Sequence, residues 1–218
     1  GLLFADDLKL YCSINTIDDC IFLQAQLDKL LQWCTENKLN LNVSKCKILS
    51  FTRKLNPISF NYKLDGTELC SCEFTKDLGV LFDSSLSFRD HMEQLSSNAC
   101  RMLGFIIRNT QSFTSLSALL ALYISLVRSK LEYASVIWNP VYDVHCDTLE
   151  KVQKRFIKYL LFKRDGVYPE RDFNYSETLN VFDLPVLKLR RLSSLVTILY
   201  NLVNNNIDSP FLLQLINF

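Results

Sequence analysis

Two adjacent carboxylates stand near the start of the chain, in Phe4-Ala5-Asp6-Asp7, between the apolar runs Gly1-Leu2-Leu3 and Leu8-Lys9-Leu10-Tyr11. Side by side they repel, and a fold that sets them between strands calls for a cation to neutralise them. Magnesium suits the pair: it is hard, takes oxygen ligands, and binds one or two carboxylates together with substrate phosphates. Two such ions in one site can serve the attacking and the leaving oxygens of a phosphoryl transfer. The same dipeptide also opens solvated turns and helix N-termini, so the residues alone leave both readings open. A second chemical feature lies at residues 151–164, where Lys151, Lys154, Arg155, Lys158, Lys163 and Arg164 occur with no acid among them. The first four fall at i, i+3, i+4 and i+7, one cationic helix face opposite Leu149, Val152, Phe156 and Leu160. Such a face suits phosphate contacts that give affinity and salt dependence without reading sequence. The solvated side of a packed helix gives the same pattern.

The elements that must position these groups change in character along the chain. Leu2 to Phe4 and Leu8 to Tyr11 read as strands joined at Ala5-Asp6-Asp7, with the acidic pair at the bend. Ile17 to Asn37 reads as an amphipathic helix, with Asp18 and Asp19 in its first turn and Ile21, Leu23, Leu27, Leu30, Leu31 and Cys34 at helical spacing. Further strands are predicted at Cys46 to Thr52, Ile58 to Leu64, Cys70 to Phe74 and Leu78 to Phe82, with a turn at Asp65-Gly66. Beyond Ser87 the apolar spacing becomes helical over Phe88 to Arg108, Ser115 to Ala134, Cys146 to Phe162 and Leu184 to Val203, broken at Asn139-Pro140 and Asp165-Gly166. The expected class is α+β, with a boundary near residue 85 between a mixed part and a helical part.

The chain has 218 residues, 49% of them hydrophobic, enough for a substantial core and too apolar for a disordered segment. Its net charge of +1 decides nothing about a nucleic-acid partner, but residues 1–85 carry nine basic and eleven acidic side chains, against fifteen and twelve in 86–218. The eight cysteines lack the paired C-x-x-C spacing of a zinc site and read as buried, reduced thiols of an intracellular protein. Cys70-Ser71-Cys72, the one close pair, reads as strand alternation. Asn42-Val43-Ser44 and Asn174-Tyr175-Ser176 match the glycosylation acceptor pattern, without a secretory signal to expose them to a transferase. No apolar run reaches bilayer length. The first residue, Gly1, leads to the expectation of a segment cut from something longer.

Several motifs follow the acidic pair in order. They are Gln32-Trp33-Cys34-x3-Lys38-Leu39-Asn40-Leu41-Asn42-x2-Lys45-Cys46-Lys47, then Phe74-Thr75-Lys76-Asp77-Leu78-Gly79-Val80, then Leu86-Ser87-Phe88-x2-His91. Leu131-Glu132-Tyr133-Ala134-Ser135-x2-Trp138-x-Pro140 and Leu149-Glu150-x-Val152-Gln153-Lys154-Arg155-Phe156 continue the series. In this order they resemble the reverse transcriptases of non-LTR, LINE-type retrotransposons, especially the jockey-like group, over roughly residues 1–165. A group II intron maturase, another palm polymerase, fits the acidic box but not the later motifs.

The resemblance implies an RNA-directed DNA polymerase, a nucleotidyltransferase working on an RNA template, a DNA primer and deoxynucleoside triphosphates with Mg2+. It implies a rear palm over 1–85, a helical thumb over 86–165 and a helical C-terminal connector over 166–218. Within the palm, Asp6 becomes the principal metal ligand and Asp7 its neighbour near the primer terminus. Lys45 matches a lysine close to the incoming triphosphate, where a cation can neutralise charge or protonate pyrophosphate; a solvated loop lysine is the plainer reading. Gly79, in the Leu78-Gly79-Val80 hairpin that matches the primer grip, would let backbones approach closely; a strand bulge would use the same residue. In the thumb, Lys151, Lys154, Arg155 and Lys158 would hold duplex backbone. His91 and Trp138 match family positions but read as packing residues, and Tyr11 could lie near the primer.

A two-metal polymerase needs a further aspartate from an earlier palm strand, so the expectation is weak magnesium binding, no activity by this chain alone, and a bare, aggregation-prone edge on the acidic hairpin. The expected setting is intracellular, cytoplasmic and nuclear, with no membrane partner; the oligomeric state is not legible. The competing class is a non-catalytic nucleic-acid-binding or interaction remnant of a decayed element. Steep loss of affinity with salt would mark a backbone-holding thumb and need not occur in an interaction module.

Overall fold

A computed structural model describes residues 1–140, 142–170 and 173–216. The chain forms two compact units, Gly1–Ser87 and Phe88–Phe218. The first mixes short strands with one long helix, the second is built from helices, and the whole is compatible with the α+β class.

In the first unit, β1 (Leu2–Phe4) and β2 (Asp7–Lys9) form an antiparallel hairpin with Phe4 opposite Asp7. The bend is therefore Ala5-Asp6 alone, and Asp7 begins the second strand, one residue earlier than the predicted Leu8 to Tyr11. A two-residue connection matches the strand twist with a left-handed residue, here Ala5 at φ 52°. The helix α1 (Ile17–Glu36) starts at a reciprocal cap, in which Thr16 accepts from the Asp19 amide and the Asp19 carboxylate accepts the Thr16 and Asn15 amides at 2.8 Å. Those backbone bonds hold the Asp19 carboxyl below its usual range.

The other strands are shorter than their apolar patterns predict: β3 (Lys47–Leu49), β4 (Lys63–Leu64), β5 (Thr67–Glu68), β6 (Cys70–Cys72), β7 (Phe74–Asp77) and β8 (Val80–Asp83). They pair two by two, β3 parallel to β6 and the rest as antiparallel hairpins. The predicted strand Ile58 to Leu64 survives only at its end, because its partner is the two-residue β5 across the Asp65-Gly66 turn. On its other side a side chain replaces a strand: the Gln24 amide of α1 donates to the Lys63 carbonyl at 2.8 Å and accepts the Lys63 amide at 2.9 Å. Burial on α1 falls on Cys20 and Cys34, whereas Ile21 of its apolar pattern and the neighbouring Phe22 are exposed. All eight thiols are free, but three are buried and Cys12 and Cys70 are exposed, which corrects the expectation of a uniformly buried set.

In the second unit, α2 (Arg89–Asn109) and α6 (Asp143–Asp165) are the long helices. The predicted helix Ser115 to Ala134 is interrupted: α3 (Leu116–Tyr123) passes through a single π-turn (Ile124–Arg128) into α4 (Ser129–Glu132) and then α5 (Ser135–Trp138). Leu119, Tyr123, Val127 and Leu131 from this run are fully buried, as are Leu149, Phe156 and Leu160 of α6. Tyr123 stacks on Phe156 with ring centres 4.1 Å apart. His91 and Trp138 pack edge to face at 5.4 Å, and the Trp138 indole donates to the Tyr133 carbonyl. The α6 helix ends at Gly166, whose φ of 77° is the left-handed conformation that closes helices. Then come α7 (Tyr175–Val181), capped by Asn174, α8 (Leu187–Val203) and α9 (Pro210–Gln214). Of the connector expected over 166–218, residues 171, 172, 217 and 218 lie outside the described set. Among the described residues no helix is long and apolar enough to cross a membrane.

Candidate active site and nucleic-acid interface

Asp6 and Asp7 are both exposed at the tip of the β1–β2 hairpin. Among the described residues no group of three His, Cys, Asp or Glu side chains gathers to hold a metal, so this hairpin offers two carboxylates as oxygen donors. That donor set fits magnesium of the kind that completes its shell with water and substrate phosphate. Lys45 ends a 3-10 turn (Val43–Lys45) and is exposed, between α1 and β3.

Gly79 lies in the β7–β8 turn, where Asp77 faces Val80 across two left-handed residues, Leu78 at φ 43° and Gly79 at φ 88°. Both central residues of a type I′ turn need positive φ, which explains the glycine. An ion pair ties this hairpin to the acidic one: the Lys9 ammonium meets the Asp77 carboxylate at 2.5 Å, half screened from solvent. Asp77 precedes the turn and Lys9 follows Asp7 by two residues, so the acidic tip and the Gly79 turn are held in one neighbourhood. Sequence reasoning named both hairpins and missed the residues that join them; the pattern Leu8-Lys9-Leu10-Tyr11, only half of which lies in β2, marks Lys9 as no more than an outward strand residue.

In the second unit, Lys151, Lys154 and Arg155 are exposed and Lys158 is half-buried, while Val152, Phe156 and Leu160 fill the opposite side of α6. With Phe173 and Tyr175 the four cations line a groove of about 310 Å³. The Lys154 ammonium lies 5.0 Å from the Tyr175 ring centre and that of Lys158 5.3 Å from Phe173. The two rings meet edge to face at 6.2 Å. Tyr175 donates to Glu150 Oε1 at 2.5 Å, and burial together with that carboxylate pushes its phenol well above the usual tyrosine range. Glu150 Oε2 accepts the Leu187 amide at 3.0 Å, so both its oxygens are engaged away from the cations.

The fully buried Gln153 binds this wall together. It accepts from the Tyr123 hydroxyl at 2.9 Å and donates towards the Pro185 carbonyl at 3.0 Å, with Glu150 and Tyr175 each at 3.2 Å. Arg190 forks onto Glu132, with Nη2 to Oε2 at 2.9 Å and Nε to Oε1. The neighbouring Arg191 is buried; its Nε donates to Asn139 at 3.2 Å and its two terminal nitrogens have no partner among the described residues. Phe173 went unmarked in the sequence, and Gln153 and Tyr175 entered only as members of a motif and of a glycosylation pattern, because nothing in their local spacing sets them apart from core residues.

No family model matches the chain, and no solved structure matches it. Two curated proteins do. The chain is 26% identical over 159 residues to the "Probable RNA-directed DNA polymerase from transposon BS" of Drosophila melanogaster, covering 71% of this chain and 18% of that protein. It is 24% identical over 162 residues to the "RNA-directed DNA polymerase from mobile element jockey" of Drosophila funebris, covering 71% and 17%. The chain therefore spans less than a fifth of the length of these relatives. Acidic hairpin, glycine turn and basic helix thus sit on a chain that is a distant relative of the RNA-directed DNA polymerases of jockey-like, non-LTR retrotransposons.

Proposed function

We propose that this chain is the rear palm and thumb of an RNA-directed DNA polymerase that copies element RNA into DNA by two-metal nucleotidyl transfer, and that it is inactive by itself. The observation that carries the proposal is the Lys9–Asp77 pair, which keeps the acidic hairpin beside the Leu78-Gly79 turn in a chain related to such polymerases. Asp6 and Asp7 hold Mg2+ through their carboxylate oxygens. The chemistry supplied by bound magnesium is charge neutralisation at the transferring phosphate and the departing pyrophosphate. Lys45 adds a cation for the triphosphate, and the exposed Gly79 turn lets the primer backbone approach without a side chain in the way. The cations of α6 hold the template–primer duplex by its phosphates. Among the described residues no third His, Cys, Asp or Glu gathers beside the two carboxylates, and two alone bind magnesium weakly, which supports the proposed inactivity of the isolated chain. Its partners are RNA template, DNA primer and deoxynucleoside triphosphates, and it works in cytoplasm and nucleus.

A second reading, a nucleic-acid-binding module without catalysis, is supported by the groove on α6, whose lining lies wholly within the second unit. Primer extension on an RNA template, with magnesium and four deoxynucleotides, separates the two. Activity is expected only when the chain is joined to its native upstream coding sequence, and Asp6→Asn abolishes it. Silence of the joined protein, with duplex binding retained, rejects the polymerase in favour of the binding module.

A further inference from the structure

We infer that the groove formed by α6 with Phe173 and Tyr175 is a single-strand site, taking one or two nucleotides of unpaired RNA or DNA with phosphates on the cations and bases on the rings. The inference rests on the nucleic-acid role proposed for α6 and narrows it. A duplex presents phosphates outward and keeps its bases stacked on each other, so a purely duplex-holding surface needs cations and has no use for aromatic faces. Here the cations alternate with aromatics: Lys154 and Lys158 each lie against a ring, and Lys151 and Arg155 complete the lining with no acid among the six residues. A positive groove combined with aromatic platforms is the physical recipe for single-strand binding, because every base has a π-face. At about 310 Å³ the groove stands at the small end of ligand clefts, the scale of a nucleotide rather than a helix.

The rings also explain how the groove stays ordered when empty. Each ammonium rests on a ring face and is held by the weak attraction of cation for π-system. An entering base takes the ring face, and the displaced ammonium turns to the phosphate of the same nucleotide, exchanging a weak partner for a charged one. Tyr175 does not turn with it, because Glu150 and Gln153 hold its hydroxyl, and Asn174 caps the helix that carries it by accepting the Glu177 amide at 3.2 Å. The platform is thus set before the ligand arrives, which lowers the ordering cost of binding.

The test is fluorescence anisotropy of the full chain with labelled single-stranded RNA, single-stranded DNA and an RNA–DNA duplex of equal length, with folding checked by circular dichroism. Phe173→Leu keeps the volume and removes the π-face. It is expected to weaken both single strands at least about fivefold and to leave duplex affinity unchanged. Tyr175→Phe keeps the ring but frees it from Glu150 and Gln153, so single-strand affinity should fall less than in Phe173→Leu. Lys154→Gln with Lys158→Gln should weaken all three ligands and flatten their salt dependence. Equal losses on duplex and single strand in Phe173→Leu, or no single-strand binding by the parent chain, overturns the inference. Either result leaves the polymerase proposal to the extension assay, and a silent extension assay leaves this groove untouched.

Discussion

Replacing Gln153 by leucine tests whether the wall behind the basic groove is held by polar contacts or by apolar packing alone. The side chains of Gln153 and Tyr123 are both fully buried. Leucine fills nearly the same volume, so the cost comes from the groups left behind. The Tyr123 hydroxyl loses its acceptor at 2.9 Å and the Pro185 carbonyl its donor at 3.0 Å, whereas Glu150 keeps Tyr175 and the Leu187 amide. Each stranded buried group costs about 1–3 kcal/mol. Partial relaxation brings the expected loss to about 2–4 kcal/mol, a large share of a total of roughly 5–15 kcal/mol for an ordinary domain. Tyr123→Phe strands only the Gln153 oxygen, with an expected loss of about 1–2 kcal/mol, and combining the two substitutions should cost at least ~1 kcal/mol less than their sum. Urea unfolding in a Trp33→Phe background isolates the second unit, because Trp138, buried there, is then the one tryptophan left. A Gln153→Leu chain within ~0.5 kcal/mol of its parent, or strict additivity in the double variant, would refute the idea that this amide clamps α6 to the segment carrying Tyr175.

Three further outcomes are expected. Leu78→Asn puts a residue tolerant of the left-handed region at φ 43° beside Gly79, and should raise the thermal midpoint of the first unit, read by Trp33 fluorescence in a Trp138→Phe background, by the equivalent of about 1 kcal/mol; an unchanged midpoint denies that the turn is strained. Lys9→Asp and Asp77→Lys should each loosen that unit by no more than about 1 kcal/mol, and together restore it; a double exchange as weak as the singles means that the pair does not join the two hairpins. The Lys188 ammonium, 2.7 Å from Asp143, holds that carboxyl below its ordinary value of 3.8. A depressed acid contributes stability above its unfolded pKa and loses it as pH falls through the folded one. The stability difference between the parent and Asp143→Asn should therefore be constant at neutral pH and shrink as pH falls below 3.8, and a difference that does not shrink on acidification contradicts this.

Long helices were legible because their signals are redundant. The first turn of α1 carries its cap and its acids, and the cationic and apolar faces of α6 are fixed by three- and four-residue spacing over six turns. Strand lengths were not legible, because a strand ends where its partner ends. Ile58 to Leu64 has the composition of a strand, yet β5 offers it two residues and Gln24 takes the other edge at Lys63 alone. The chemical residues divide in the same way. Asp6, Asp7, Gly79 and the four cations of α6 stand out by type and spacing. Phe173, Tyr175 and Gln153 acquire their significance from partners 15 to 32 positions away, such as Lys158 and Pro185, and no local window contains that information.

The π-turn at Ile124–Arg128 has a consequence for the phase of everything that follows it. Leu119, Tyr123, Val127 and Leu131 are spaced by fours, and an α-helix advancing 100° per residue carries each step about 40° past a full circle. Three steps would put Leu131 roughly 120° away from Leu119, well off a shared stripe. One wider turn absorbs much of that drift, and all four side chains are buried. Deleting a single residue between 124 and 128 would let the run wind as ordinary α-helix with Leu131 eleven positions after Leu119, roughly 20° from the shared stripe. Leu131 would then stay in the core and Glu132 would still face Arg190. The wider turn is therefore a corrector of phase: it takes up one residue more than an α-helical repeat allows and leaves α4 and α5 on the heading they would have without it.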